Sequence, residues 1–92
     1  MNIGSLALFQ SFGYDASVTD SQVYKEELRL AEQLEVLGYD WHCAVEHHFE
    51  DYSFCPDNTV YLSHIAAKTS TLKLGTTAVI LPWNEPLRVA EK

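Results

Sequence analysis

Short apolar runs alternate along this chain with segments of helical periodicity, and this alternation limits the folds open to it. The first run covers about residues 2–9 and precedes an amphipathic segment that ends near Leu37. The second and third runs, about residues 41–45 and 72–81, flank another helical segment. Strands that alternate with helices form right-handed βαβ units and a parallel sheet. The sequence therefore predicts an α/β fold of three strands, with a third helix after the third strand.

Residues at the segment ends support these boundaries. Thr19 and Gln22 have the spacing of a capping box, and Gly38 stands where a left-handed residue closes a helix. Asp57 or Asn58 can cap the second helix. The apolar positions of that helix that we expect to be buried are Val60, Tyr61, Ile65 and Ala66.

Composition narrows the range of partners and compartments. The chain has 92 residues, with 13 acidic against 6 basic ones and a formal charge of −7. Nucleic acids and anionic membrane surfaces bind proteins through clusters of Lys and Arg, and this sequence has no such cluster. We therefore expect the protein to bind neither nucleic acid nor membranes. No apolar run approaches the ~20 residues of a membrane span. Cys43 and Cys55 fit no zinc or redox spacing, so we expect reduced thiols in a cytoplasmic protein.

The size of the chain suggests part of a larger fold. Three parallel strands leave two open sheet edges, and the third helical segment reaches Lys92 without a C-cap signal. A (β/α)₈ barrel needs ~250 residues. We therefore expect residues 1–92 to be one partial domain, the N-terminal βαβαβ(α) portion of a TIM (β/α)₈ barrel, truncated at its C-terminus.

The densest polar cluster follows the second strand, as Glu46-His47-His48-Phe49. Barrel enzymes take catalytic groups from that end of their strands, and a histidine there can act as a general base near neutral pH. The alternative is that one or both histidines only satisfy hydrogen bonds of the loop. We expect no metal site, because adjacent residues of an extended segment point to opposite faces.

Other polar and aromatic residues allow both structural and functional interpretations. Gly75 in the third strand indicates a bulge or a close backbone approach. Trp83, in the loop after that strand, can line a pocket or cover the barrel end, and Asn84 can cap the third helix. His42 is expected to be a satisfied core or interface group, and His64 a structural or surface residue.

Taken in order, these segments resemble the luciferase-like monooxygenase family. The matching stretches are Asn2-Ile3-Gly4, Gly38-Tyr39-Asp40, Glu46-His47-His48-Phe49, and residues 74–82 and 86–91. Each motif alone is modest, but the ordered set is fairly specific and covers essentially the whole chain. The resemblance implies a TIM-barrel-like fold, usually dimeric. It also implies that the enzyme oxidises a small organic substrate with O₂ and reduced FMN. A partner flavin reductase would supply the reduced FMN.

The resemblance also implies roles for individual residues. It makes His47 the catalytic base, and it brings the backbone of Glu46 to the isoalloxazine ring. It places a non-prolyl cis peptide, between Thr77 and Ala78, against the same ring. Such a bond costs ~3–4 kcal/mol and persists only where its surroundings hold it.

The substrate and the exact cofactor are less closely defined. Leu6 stands where luciferases can carry an aromatic pocket residue, and His48 and Trp83 complete the expected pocket. Glu85 stands where luciferases often have a histidine, which argues against aldehyde luminescence. The family's phosphate-binding loops follow later strands. Two alternatives stay open: a deazaflavin-dependent hydride-transfer relative, and a non-catalytic short remnant or subunit that associates with another barrel.

Overall fold

A computed structural model of the chain describes residues 1–11 and 17–92. Its strands form one parallel sheet in the order β1-β2-β3, so each strand pairs with the next one in sequence. The predicted α/β class and element order are confirmed. The elements are β1 (Gly4–Ala7), α1 (Asp20–Leu34), β2 (Trp41–Ala44), α2 (Asn58–Ala66), β3 (Lys73–Thr76), a short 3₁₀ helix (Leu81–Trp83) and α3 (Pro86–Glu91).

Helices α1 and α2 cover one face of the sheet. The side chain of His42 in β2 points to this face, because its Nε2 lies 2.8 Å from the hydroxyl of Tyr61 in α2. Ala44, two residues further along the strand, is buried on the same side. Phe9 lies between the aromatic rings of Tyr24 and Tyr61. The other buried members of this core are Ala7, Ala31, Leu34, Ala44, Cys55, Leu62, Ile65 and Leu72.

The opposite face, which we call the open face, carries Leu6, Cys43 and Gly75 in register across the three strands. Leu6 is 51% exposed there. A β-carbon on Gly75 would meet Cys43 Sγ at 3.2 Å, so the predicted close approach involves this side chain. Consecutive parallel strands with α1 and α2 packed on one face match the arrangement in a section of a β/α barrel, in which the open face would turn towards the barrel axis.

The start of α1 follows the sequence signals, whereas the helix ends at Leu34, three residues before the predicted end near Leu37. The Thr19–Gln22 capping box is present. Gly38 has a φ of 86°, and the backbone N–H of Tyr39 donates to the carbonyl of Leu34 at 3.0 Å. This bond is typical of a helix that ends on a left-handed glycine.

Several sequence predictions of detail are wrong. Val60 is 66% exposed and Ala66 is also exposed, because α2 turns Tyr61, Leu62 and Ile65 towards the core instead. The cap of α3 is Glu85, whose carboxylate accepts from the N–H of Arg88, and not Asn84. Strand β3 ends at Thr76, five residues earlier than predicted.

Two further observations concern the environment of the chain. Cys43 and Cys55 are both free thiols. Within residues 1–11 and 17–92, no helix is long and apolar enough to cross a membrane.

His42 should make the stability of the fold depend on pH. Tyr61 donates to the carbonyl of Glu27 at 3.4 Å, so it accepts from Nε2–H of His42, and Nδ1 accepts from the Ser5 hydroxyl at 2.7 Å. This arrangement suits the neutral ring, and burial lowers the pKa of His42. Its contribution is therefore fully present above the unfolded pKa of about 6.5 and is lost as the pH falls towards the lower folded pKa.

Urea unfolding at about pH 7.5 and about pH 5.5 tests this contribution. We expect the wild-type protein to lose more stability between these pH values than His42→Gln does. His64→Gln, at an exposed histidine, should keep the wild-type dependence. Equal losses in the wild type and His42→Gln would contradict the prediction.

Candidate active site

The loops that follow β2 and β3 meet at the carboxyl edge of the sheet. The N–H of His47 donates to the carbonyl of Cys55 at 2.9 Å, which folds the loop after β2 back on itself. The N–H of Thr77 donates to the carbonyl of Ala44 at 3.1 Å, which fixes the start of the segment after β3. These anchors bring the Glu46–Phe49 cluster beside residues 77–84.

The Glu46 carboxylate joins the two loops. Its side chain is only 3% exposed. Oε2 accepts from the backbone N–H of Ile80 at 2.9 Å, and Oε1 accepts from Nδ2 of Asn84 at 3.4 Å. Oε1 also lies 2.8 Å from Nε2 of His48. The side chain therefore has a structural role that the sequence did not predict, beside the backbone role implied by the resemblance.

His48 is held between Glu46 and Trp83. The rings of His48 and Trp83 stack with their centroids 4.9 Å apart and their planes 12° from parallel. Phe49 approaches the same tryptophan at 6.3 Å and has a φ of 58°. The structure thus brings together two of the three predicted pocket residues, His48 and Trp83.

His47 points away from its neighbour. Its ring packs edge-on against Tyr52, with centroids 5.6 Å apart, and it lines a cleft of about 470 Å³ with His48, Phe49 and Phe54. Within the described part of the chain, neither ring nitrogen of His47 has a hydrogen-bond partner. Of the two adjacent histidines, His47 is therefore the one whose ring makes no hydrogen bond within the described residues.

The rings of the two histidines pack against different aromatic side chains, His47 on Tyr52 and His48 on Trp83. Among residues 1–11 and 17–92, no group of three His, Cys, Asp or Glu side chains is placed to hold a metal ion. His42 and His64 lie elsewhere, as expected: His42 is buried and satisfied, and His64 is exposed beside Glu32.

Leu6 does not join the cluster of His48 and Trp83. It lies within β1 on the open face, whereas His48 and Trp83 lie in loops beyond the strand ends. In a barrel, the open face lines the interior below those loops. Leu6 would therefore contribute to the floor of a pocket rather than to its rim.

The prediction of a cis peptide between Thr77 and Ala78 is wrong, because the described residues contain no cis bond. A non-prolyl cis bond persists only where its surroundings offset its cost. Thr77 and Ala78 are both exposed in this chain, so little packing opposes the lower-energy trans form.

Asn58 is a residue whose role sequence reasoning missed. It is 1% exposed, and its Nδ2 donates to the carbonyls of Ala44 at 3.0 Å and Ala78 at 2.9 Å. Asp57 caps α2, so Asn58 is not needed for that purpose. The sequence offered one signal for this role: Asp57 and Asn58 are both helix-capping residue types, but a helix needs only one N-cap.

Comparison with known proteins identifies the family. The family model described as luciferase-like monooxygenase matches residues 1–92. The chain belongs to the luciferase-like monooxygenase family. Its relatives include the alkanal monooxygenase alpha chain of the Kryptophanaron alfredi symbiont, which is 31% identical over 70 residues. That match covers 76% of this chain and 20% of the relative.

Solved structures agree on the fold. The monooxygenase RslO1 from Streptomyces bottropensis superposes with a TM-score of 0.85 at 36% identity, over 98% of this chain and 27% of that one. The oxygenating constituent of 3,6-diketocamphane monooxygenase from Pseudomonas putida, a type II Baeyer-Villiger enzyme in complex with FMN, has a TM-score of 0.82. At 22% identity, over 98% of this chain and 24% of that one, it supports the fold alone.

The chain is much shorter than the relatives that it matches. It spans about a quarter of the length of the curated relatives that it matches over nearly its whole extent. The matched structures are barrel monooxygenases, to which the chain corresponds as the N-terminal part. The sequence-based prediction of a barrel-type α/β fold is therefore confirmed.

Proposed function

We propose that this chain forms the N-terminal part of a flavin-dependent monooxygenase that oxidises a small organic substrate with O₂ and reduced FMN. The observation that carries the proposal is the position of His47. Its unpartnered ring lines a cleft at the carboxyl edge of the sheet, beside a loop that Glu46 fixes. Family membership supports both the oxidoreductase class and the choice of a flavin.

The residues present fit one edge of a flavin. Gly75, Thr76, Thr77 and Ala78 have small side chains, and the last three are exposed, so a flat ring can approach their backbone. The basic side chains of the last helical turn do not suggest a phosphate site, since Arg88 pairs with Glu91 and Lys92 with Asp57. The phosphate would then be held by residues outside this chain.

Each residue has a specific role in the proposal. Bound FMN supplies the redox chemistry with O₂. His47 accepts or returns a proton beside it, and the backbones of Glu46, Thr77 and Ala78 border the ring. The substrate lies against Leu6, His48 and Trp83. His48 is oriented by Glu46 and by its stack on Trp83, so it shapes the pocket rather than moving freely in it.

The proposal extends to partners and location. Reduced FMN would come from a separate flavin reductase, and the complete barrel would act as a dimer in the cytoplasm. The free thiols of Cys43 and Cys55 fit a reducing compartment.

Cofactor binding by the full-length protein tests this function. We expect reduced FMN to bind and O₂ to be consumed in proportion to product when a panel of small ketones and aldehydes is supplied. A matched titration with reduced deazaflavin distinguishes the hydride-transfer alternative, which would bind deazaflavin and transfer a hydride without O₂. Binding of neither cofactor would reject both enzymatic functions.

The open face of the sheet favours one non-enzymatic alternative. In this alternative, the chain is a non-catalytic subunit whose open face is covered when it pairs with a barrel. The intact mass of the native protein separates the two. A mass several-fold above 10.4 kDa would support the catalytic barrel, and a mass near 10.4 kDa would support the associating subunit.

A further inference from the structure

The side-chain amide of Asn58 has only one chemically reasonable orientation. Both hydrogens of Nδ2 are used, one towards the carbonyl of Ala44 and one towards the carbonyl of Ala78. Rotating the amide by half a turn would place Oδ1 against two carbonyl oxygens, which is repulsive. The side chain therefore acts as a double donor that links the end of β2 to the segment after β3.

This arrangement leaves a buried acceptor without a partner. Oδ1 of Asn58 is buried and makes no hydrogen bond within the described residues. An apolar side chain of the same shape would avoid the cost of this unsatisfied atom. The asparagine is therefore explained by what its two donated bonds hold in place, rather than by a gain in fold stability.

Those two bonds control the Thr77–Ala78 peptide. The carbonyl of Ala44 accepts from both Asn58 Nδ2 and the N–H of Thr77, and the carbonyl of Ala78 accepts from the same Nδ2. Asn58 thus holds the Ala78 end of the dipeptide directly, whereas the Thr77 end is held by the Ala44 carbonyl to which Asn58 also donates. Because Thr77 and Ala78 are exposed, hydrogen bonds rather than packing must determine where this backbone lies.

We infer that Asn58 is a positioning residue for flavin binding, which acts by holding the Thr77–Ala78 backbone at the place where the isoalloxazine ring meets it. This inference rests on the proposed function. It differs from a capping or core role, because its effect should reach the bound flavin and not only the stability of the fold.

The test is the variant Asn58→Leu in the full-length protein, with oxidised FMN as the probe. Leucine has a similar shape but donates no hydrogen bond. We expect the dissociation constant of FMN to rise about tenfold or more, because a mobile backbone must be ordered on binding. The visible absorption bands of the bound flavin should also change, because its surroundings are less uniform.

Tyr61→Phe is the matched control. It removes a buried hydrogen bond to His42 from the same helix but leaves the Thr77–Ala78 segment untouched. It should lower the melting temperature while FMN affinity and the flavin spectrum stay as in the wild type. If Asn58→Leu does not fold, Asn58→Ser, which keeps one hydroxyl donor, replaces it under the same criteria.

The possible outcomes distinguish the role of Asn58 from the proposed flavin-dependent function. Wild-type FMN affinity and spectrum in Asn58→Leu would overturn the inference and leave the proposed function intact. Equal weakening in Tyr61→Phe would also overturn it, because the effect would then be general destabilisation. A wild-type protein that binds no flavin would overturn the proposed function and the inference together.

Discussion

Replacing His47 with alanine is expected to lower turnover by about 10²–10⁴-fold, the range for loss of a general base. FMN affinity should change little, because the backbones of Glu46, Thr77 and Ala78 are proposed to border the flavin, whereas the ring of His47 packs on Tyr52. Turnover and FMN binding of the full-length variant would be measured side by side.

Two controls sharpen this experiment. His64→Ala removes an exposed histidine that pairs with Glu32, and it should retain wild-type turnover. Free imidazole should restore part of the lost activity in His47→Ala if the missing group is a base, whereas it cannot repair a folding defect. Unchanged turnover in His47→Ala would show that the base lies elsewhere.

The second large effect concerns stability. Glu46→Ala should lower the free energy of unfolding by roughly 3–5 kcal/mol, because hydrogen bonds to a charged group contribute about 1.5–3 kcal/mol each and half-buried partners would lose these bonds. The partners are the N–H of Ile80, Nδ2 of Asn84 and Nε2 of His48. Urea denaturation gives the value directly.

Glu26→Ala is the control for Glu46→Ala. Glu26 forms an ion pair with Arg29 in which both side chains are mostly exposed. Its removal should change stability by no more than about 0.5–1 kcal/mol. If both substitutions had similar small effects, the Glu46 carboxylate would not be what joins the loops after β2 and β3.

The sequence predicted those parts of the fold that depend on local patterns. Alternating apolar runs identified the three strands, Thr19 marked the start of α1 correctly, and Gly38 has the left-handed conformation predicted for it, although α1 itself ends at Leu34. His42 could be recognised as a satisfied core residue because it lies within an apolar strand. These features depend on neighbours along the chain, which a single sequence displays.

Features that depend on contacts between distant segments were missed. Val60 and Tyr61 are adjacent apolar residues, and periodicity alone could not tell which one faces the sheet. Strand β3 ends early because the backbone that follows it is bound by side chains and not by a neighbouring strand. Asn58 donates to the carbonyl of Ala78, and the Glu46 carboxylate accepts from the N–H of Ile80. Asn84 has the residue type of a helix cap, but its amide binds Glu46 and the carbonyl of Ile80 instead.

The consecutive strand order has a consequence for synthesis on the ribosome. Gly4 pairs with Trp41, and Trp41 pairs with Lys73. Each strand that leaves the ribosome therefore pairs with the strand that was synthesised just before it. No pairing has to wait for a later segment to be inserted between two earlier ones. At about 5–20 residues per second, translation delivers the chain over several seconds, which is long compared with the microseconds that helices need to form. This section can therefore assemble in the order in which it is translated, from the N-terminus onwards.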